Sequence, residues 1–190
     1  MNPGLLALII VLGVIVLVAL IIVIWWISTS NKMRREIVKI DEASSGIDVA
    51  LTKRYDILTK SISAVKGYAK HEVEVLEKIT KLRCPGANSS IEEKNEFAKT
   101  TGEALKTINL LAESYPNLKA NENFSNLQAQ ISEVEEQLQA SRRVYNSNVS
   151  IYNQDIDVFP GRLVAKKNNF TKKVFFVADE EKKADVKIDF

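Results

Sequence analysis

The sequence has few of the residues that build disulfide frameworks, metal sites and tight loops. It contains one cysteine, Cys84, and one histidine, His71. A single cysteine forms no internal disulfide, and a single histidine excludes most histidine-based metal and triad chemistry. Only four prolines and seven glycines occur in 190 residues, which favours long uninterrupted helices. The sequence therefore predicts a helical protein with no cofactor and no metal.

Charged side chains are nearly balanced in number but not in position. Lys and Arg total 26 against 24 Asp and Glu, a net charge of +2, which argues against a nucleic-acid partner. Residues 1–31 carry no charged side chain, and Leu5 to Ile27 is an apolar run. Its helical length of roughly 34 Å exceeds the ~30 Å of a hydrocarbon core. The run predicts an uncleaved membrane anchor over residues 1–30.

A basic cluster follows the predicted anchor directly. Lys32, Arg34, Arg35 and Lys39 lie just past the apolar run, whereas the other end has only the α-amino group. The positive-inside rule then predicts an N-terminus outside the cell and a cytoplasmic domain in a single-pass cell-membrane protein. We also expect Lys32, Arg34 and Arg35 to contact anionic lipid headgroups.

Three stretches carry apolar residues at helical spacing. They predict helices over about residues 31–83, 91–114 and 121–159, the first continuous with the anchor. Ser90 and Glu93 form a capping-box pattern at the start of the second helix. Short connections predict an up-down antiparallel arrangement. The fold class is thus all-α: an N-terminal transmembrane helix continuing into a bundle over residues 31–160. We expect a C-terminal tail, residues 161–190, to dock on it through Phe170, Phe175 and Phe176.

The stretch from Arg142 to Pro160 contains a seven-residue echo, Tyr145-Asn146 and Tyr152-Asn153. The tyrosines share one helix face with Val149, Ile156 and Phe159. The pairs predict either a polar recognition groove or core tyrosines whose asparagines bond to a neighbouring helix, and the phase favours the core. Arg142 and Arg143 are candidates for binding phosphate or lipid headgroups. The favoured alternative pairs Arg142 with Glu72 or Asp56.

Several segments resemble the LemA family of bacterial membrane proteins. They are AESYPNLKANENF (112–124), SRRVYN (141–146), FPGRLVA (159–165), LTKRYDIL (51–58) and VKGYAKHE (65–72). The resemblance implies an anchored antiparallel helical bundle with no catalytic residues. Family members are often encoded beside membrane-bound proteases or other envelope proteins, and one branch belongs to magnetosome membranes. The motif residues, expected to be structural, are Tyr115, Pro116, Arg142, Arg143, Tyr145, Asn146, Tyr152, Asn153, Phe159 and Pro160.

These features predict a non-enzymatic scaffold or adaptor that acts through self-association and contacts with membrane partners. The alternatives are a membrane-shaping or lipid-binding element and an accessory subunit of a membrane protease. An enzyme would need convergent carboxylates or tyrosines, which no motif provides. Because the second predicted helix is shorter than its neighbours, the membrane-proximal seam should lack an internal partner. We therefore expect homo-oligomer contacts at Ile37, Ile40 and Ile47.

Overall fold

The computed structural model describes residues 3–68 and 82–177, and within these ranges the chain is helical with no strand. The prediction of an all-α fold is confirmed. The elements are α1 (Pro3–Lys66), α2 (Ile91–Ser114), α3 (Pro116–Lys119), α4 (Glu122–Asp157) and α5 (Gly161–Lys167).

Helix α1 is a single helix of 64 residues. The apolar run therefore continues into the domain without a break, as predicted. The helix is long and apolar enough at its N-terminal end to cross a membrane. It ends earlier than predicted, because a turn at Gly67 and Tyr68 follows Lys66 and the Tyr68 amide donates to the Val65 carbonyl at 2.9 Å. Glycine weakens a helix interior by ~1 kcal/mol relative to alanine, and α1 ends immediately before Gly67. The rest of the predicted extension, residues 69–81, falls outside the described ranges.

Helices α2 and α4 begin with side-chain caps. The Ser90 hydroxyl accepts from the Glu93 amide at 3.2 Å, and the Glu93 carboxylate accepts from the Ser90 amide at 3.1 Å. This is the predicted capping box, and the bounds of α2 agree with those predicted. At α4, the Asn121 side chain accepts from the Phe124 amide at 3.2 Å. These acceptors satisfy amides that have no partner within the first turn of a helix.

The chain divides into two compact units. We call residues 1–40 with 148–173 the anchor unit, and residues 41–147 with 174–190 the bundle unit. The buried apolar side chains of the anchor unit come from α1, α4 and α5; they are Met33, Ile40, Val149, Tyr152, Ile156, Val164 and Ala165. The main core of the bundle unit joins α1, α2, α3 and α4; it contains Leu58, Ile62, Val65, Ala104, Leu105, Ile108, Ala112, Leu118, Phe124 and Ile131.

A buried arginine joins three helices of the bundle unit. Arg54 on α1 is 5% exposed and donates to the Ala98 carbonyl of α2 at 2.6 Å. Its guanidinium also forms an ion pair with Glu135 of α4 at 2.6 Å. Gly102 on α2 makes room for this group, since a Cβ at position 102 would lie 3.1 Å from an Arg54 nitrogen. The lone glycine inside α2 thus has a packing reason.

A buried lysine makes a second polar link between α1 and α2. Lys94 is 1% exposed; its ammonium forms an ion pair with Asp48 at 2.7 Å and donates to the Ser44 hydroxyl at 2.9 Å. Buried charges need such partners, because desolvation otherwise destabilises them strongly. These contacts fix how α1 and α2 are aligned.

Replacing Arg54 by alanine should lower the free energy of unfolding by about 3 kcal/mol, because Glu135 and the α2 carbonyl lose their partner. The measurement is chemical denaturation of the full-length protein in mild detergent, followed by circular dichroism. Lys53→Ala is the control; Lys53 is exposed with one 3.3 Å bond to Gln137, so a change within ~0.5 kcal/mol is expected. Equal midpoints for the two variants would contradict the role given to Arg54.

Candidate functional site

The Tyr-Asn echo lies on α4, and both tyrosines are buried. Tyr145 is 5% exposed and Tyr152 is 1% exposed, with Val149 fully buried between them. This confirms the interpretation of the tyrosines as core residues. Burial raises the pKa of both hydroxyls above the ordinary value, with nearby carboxylates adding to the shift.

In the bundle unit, Asn146 binds the backbone of the C-terminal segment through both ends of its amide. Its Nδ2 donates to the Phe176 carbonyl at 2.9 Å, and its Oδ1 accepts from the Phe176 amide at 2.8 Å. Beside it, the Tyr145 hydroxyl donates to the Val174 carbonyl at 3.0 Å. The first Tyr-Asn pair therefore holds a segment that belongs to no helix or strand among the described residues.

In the anchor unit, Asn153 makes the same paired contact. Its Nδ2 donates to the Lys173 carbonyl at 2.9 Å, and its Oδ1 accepts from the Lys173 amide at 2.9 Å. The expectation that the asparagines bond to a neighbouring helix is thus wrong. Inside a helix the backbone amides are already paired, and only its carbonyls can accept a second bond. A segment outside helices and strands has both donors and acceptors left to satisfy, and the asparagine amide satisfies one of each.

The spacing of the echo matches the spacing of the residues it binds. Asn146 and Asn153 are seven residues apart on one helix, a rise of about 10.5 Å. Phe176 and Lys173 are three residues apart in extended chain, a length of about 10 Å. The rise between the two asparagines is thus close to the length of chain between the two residues that they bind. The sequence repeat predicted the seven-residue spacing of the two asparagines, but it did not predict which residues they bind.

Arg142 and Phe176 complete the bundle-unit contact. The Arg142 guanidinium lies over the Phe176 ring, 4.7 Å from its centre, and Phe176 is 2% exposed. A cation above an aromatic ring is attracted by the negative face of the ring. Of the two acidic partners predicted for Arg142, Asp56 is exposed and Glu72 lies outside the described residues.

Of the three aromatic residues expected to dock the tail, only Phe176 is buried. Phe175 is 44% exposed, as are its neighbours Val174 and Val177 at 52% and 50%. Phe170 is half-buried with the Arg34 guanidinium 6.0 Å from its ring centre. Val186, Ile188 and Phe190 alternate in the sequence as in a strand, and this prediction falls outside the described part of the chain.

The other motif residues occupy helix ends and surface. Tyr115 is the C-terminal cap of α2, and Pro116 begins α3, which suits a residue without an amide donor. Arg143 and Pro160 are exposed. Phe159 is 75% exposed, so its assignment to the apolar seam is wrong: α4 ends at Asp157, and the helical phase does not extend to it.

The premise for oligomer contacts at Ile37, Ile40 and Ile47 is also wrong. Ile40 and Ile47 are 2% and 0% exposed within the single chain, and Ile37 is half-buried. Two of the three side chains are thus already covered without a second copy. In the anchor unit the covering elements include the C-terminal part of α4, where Asn148 donates to the Lys39 carbonyl at 3.1 Å.

The basic cluster is divided between internal contacts and solvent. Lys32 forms an ion pair with Asp155 at 2.7 Å and with Glu36 at 3.7 Å. The hydrogen bond to Asp155 raises the pKa of Lys32. Arg35 is exposed, and Arg34, also exposed, reaches Phe170. All three side chains are therefore exposed, and Lys32 differs from Arg34 and Arg35 in that it also forms ion pairs within the chain.

Glu36 is a buried carboxyl beside Asp155. It is 8% exposed, and its burial, together with the hydrogen bond to Asp155 and the charge of that carboxylate, raises its pKa to about 7. Partial burial would raise the pKa of Asp155 as well, but hydrogen bonds from Lys32 and Glu36 outweigh it and lower that pKa. Glu36 is thus the carboxyl that binds a proton more readily, whereas Asp155 stays the acidic partner of Lys32.

One shallow groove accompanies these contacts in the bundle unit. Its volume is about 260 Å³, and charged and amide side chains line it, among them Lys53, Asp56, Lys60 and Glu133. In residues 3–68 and 82–177, no three His, Cys, Asp or Glu side chains are grouped to hold a metal ion. The charged groups of the groove belong to the solvated faces of α1 and α4.

Replacing Asn146 by alanine should release the C-terminal segment, because two hydrogen bonds to one residue are lost together. The expected loss of stability is about 1–3 kcal/mol. Hydrogen exchange measured by mass spectrometry should accelerate over residues 173–177. Asn148→Ala is the control, since Asn148 lies on the same helix and bonds to the Lys39 carbonyl instead. Unchanged exchange in Asn146→Ala would show that the amide does not hold the segment.

Replacing Glu36 by glutamine should flatten the dependence of stability on pH. A carboxyl whose folded pKa is raised stabilises the fold fully below its unfolded pKa, ordinarily about 4.5, and this contribution disappears as the pH rises through about 7. Between about pH 5 and pH 8 the parent should lose more thermal stability than Glu36→Gln, which keeps a neutral donor. Glu42→Gln, at an exposed position of α1, should behave like the parent. If the thermal stability of the parent and of Glu36→Gln changed with pH in parallel, the raised pKa of Glu36 would be contradicted.

Comparison with known proteins places this arrangement in a family. The sequence pattern of the LemA family matches residues 43–190, which include the Tyr-Asn echo and its partner segment. Protein LemA of Metamycoplasma hominis is 29% identical over 163 residues, covering 85% of this chain and 74% of that protein. Because the family pattern covers well over half of the sequence, the chain belongs to the LemA family.

Proposed function

We propose that this protein is a non-enzymatic membrane scaffold or adaptor that acts through self-association and contacts with membrane partners. One observation carries the proposal: the apolar run and the first helix of the domain are the same helix, α1. A domain that continues a membrane span is confined to the bilayer plane, and confinement raises its effective concentration toward neighbours.

The use of the polar residues supports a structural role. Arg54, Lys94 and Glu36, the buried charged side chains with inter-helix partners, are engaged in contacts between helices. The Tyr-Asn echo binds the chain's own C-terminal segment. The buried charged residues and the Tyr-Asn echo therefore stabilise the fold, and partners would bind to the outer surface.

Orientation follows from the charges next to the span. Arg34, Arg35 and Lys39 are exposed just beyond the apolar run, and no charged side chain lies before it. The positive-inside rule assigns such an end to the cytoplasm. The proposed location is thus the cell membrane, with the N-terminus outside and the residues that follow the apolar run in the cytoplasm.

We assign self-association to the exposed face of α1 that contains Val38, because Ile40 and Ile47 of the predicted interface are buried within the chain. Val38 is 64% exposed and Ile40 is 2% exposed. Val38 follows Ile27 by steps of 4, 3 and 4 residues, so the two lie on one helix face. Ile24 and Ile27, 66% and 54% exposed, extend that face into the apolar run. A second copy packed along the span would meet Val38.

Cysteine crosslinking tests this choice of face. In a Cys84→Ser background, Val38→Cys in native membranes should form a covalent dimer on mild oxidation, because its side chain points away from its own chain. Ile40→Cys, two residues away and buried, should form several-fold less. Crosslinking at Ile40 and none at Val38 would refute the face, and no crosslinking at either would remove the support for self-association.

A further inference from the structure

Helix α5 lies beside the point where the apolar run ends. Within the anchor unit, the Asn168 amide donates to the Ser30 hydroxyl at 3.4 Å. At its other end, a Cβ on Gly161 would lie 3.3 Å from the Met33 methyl carbon. Ser30 and Met33 follow Ile27 by three and six residues, roughly 4.5 and 9 Å along a helix. Both ends of α5 are therefore held within about 10 Å of the apolar run.

That distance places α5 at the level of lipid headgroups. A headgroup layer adds roughly 5–7 Å to each side of the hydrocarbon core. This step rests on the membrane anchoring that belongs to the proposed function. If the apolar run crosses the core, then α5 and the residues before it lie in that layer or directly next to it.

The residues around the start of α5 present an apolar surface. Val164 and Ala165 are 0% and 3% exposed and pack inside the unit. By contrast, Val158, Phe159 and Leu163 are 61%, 75% and 50% exposed. Three large apolar side chains within six residues exceed the scattered single exposures of a soluble surface.

The same segment is positively charged. Arg162, Lys166 and Lys167 are exposed, and residues 158–167 contain no acidic side chain. On α1, Arg34 and Arg35 are exposed at the same membrane-proximal level. Apolar side chains combined with cations on a short helix are typical of segments that lie in a membrane interface.

We propose that residues 158–167, the interfacial segment, bind the surface of the membrane that α1 crosses. Phe159 and Leu163 enter the boundary between headgroups and acyl chains. Arg162, Lys166 and Lys167 contact the phosphates of anionic phospholipids. A protein partner is a poorer fit, because it would have to bury the same cations next to apolar side chains.

Probe depth in vesicles tests the interfacial segment. The full-length Cys84→Ser protein is reconstituted in phosphatidylcholine vesicles with phosphatidylglycerol, carrying a nitrobenzoxadiazole probe on a cysteine at one position. The test positions are Phe159→Cys and Leu163→Cys. Ile151→Cys is the matched control, since Ile151 is 49% exposed and lies six residues before the end of α4. Ile21→Cys, inside the apolar run, reports insertion itself.

Probes at positions 159 and 163 should emit at shorter wavelength than at 151. Doxyl-labelled phosphatidylcholine should quench them about twofold or more relative to 151, as expected for side chains at the acyl boundary. Equal quenching at 151, 159 and 163 would overturn the proposal. A blue shift without lipid quenching would also overturn it, by identifying a protein occupant. Absence of quenching at Ile21 would refute the anchoring and, with it, the interfacial segment.

Removing the negative charge of the lipid, or the positive charge of the segment, completes the test. In vesicles without phosphatidylglycerol, quenching at position 163 should fall. The triple variant Arg162→Gln, Lys166→Gln, Lys167→Gln should produce a similar fall in anionic vesicles. Its control replaces three exposed lysines of the bundle unit, Lys53, Lys60 and Lys99, and should leave quenching unchanged. Quenching that is independent of both lipid charge and these side chains would refute the anionic-lipid contacts.

Discussion

An extended segment packed on a helix has no backbone partner, and this constraint accounts for the most distinctive residues of the protein. A helix uses its own amides and carbonyls, so side chains must satisfy those of the segment. Asparagine suits the task because its amide carries both a donor and an acceptor, as a peptide group does. Asn146 and Asn153 each bind one residue in this way. An ionised aspartate at either position would accept but not donate, and would leave a carbonyl unpaired.

Polar contacts between helices impose a second condition on the fold. Apolar seams at helical spacing tolerate sliding by a turn, since any two such faces bury similar area. A buried charge does not, because displacement by one turn leaves it without a partner. Arg54 and Lys94 set the alignment of α1 with α2, and the missing side chain of Gly102 provides the space that Arg54 needs. Burial of Arg54 and Lys94 requires their desolvation, which is unfavourable, but their contacts specify one alignment of α1 with α2.

Sequence reasoning succeeded where a signal was local and failed where the partner was distant. The capping residues and Pro116 fix the ends of α2 locally, and the apolar run is recognisable from composition alone. The end of α1 was predicted too late, because the cost of Gly67 within a helix depends on packing that periodicity does not describe. Burial of Ile40 and exposure of Phe159 depend on where α4 ends relative to α1. The partners of Asn146 are thirty residues ahead in a segment without a repeat.

The segment from Phe159 to Lys167 illustrates how one short motif divides its residues between packing and surface. Gly161 has no alternative, because a Cβ there would press on the Asp155 carbonyl as well as on Met33. This close approach brings α5 against α1 and buries Val164 and Ala165. Because Val164 and Ala165 face inward, the other side chains of this short helix face outward. The contact of Asn168 with Ser30 sets their distance from the apolar run. The backbone requirement of one glycine thus determines which side chains can meet a membrane, and it does so through packing inside the protein.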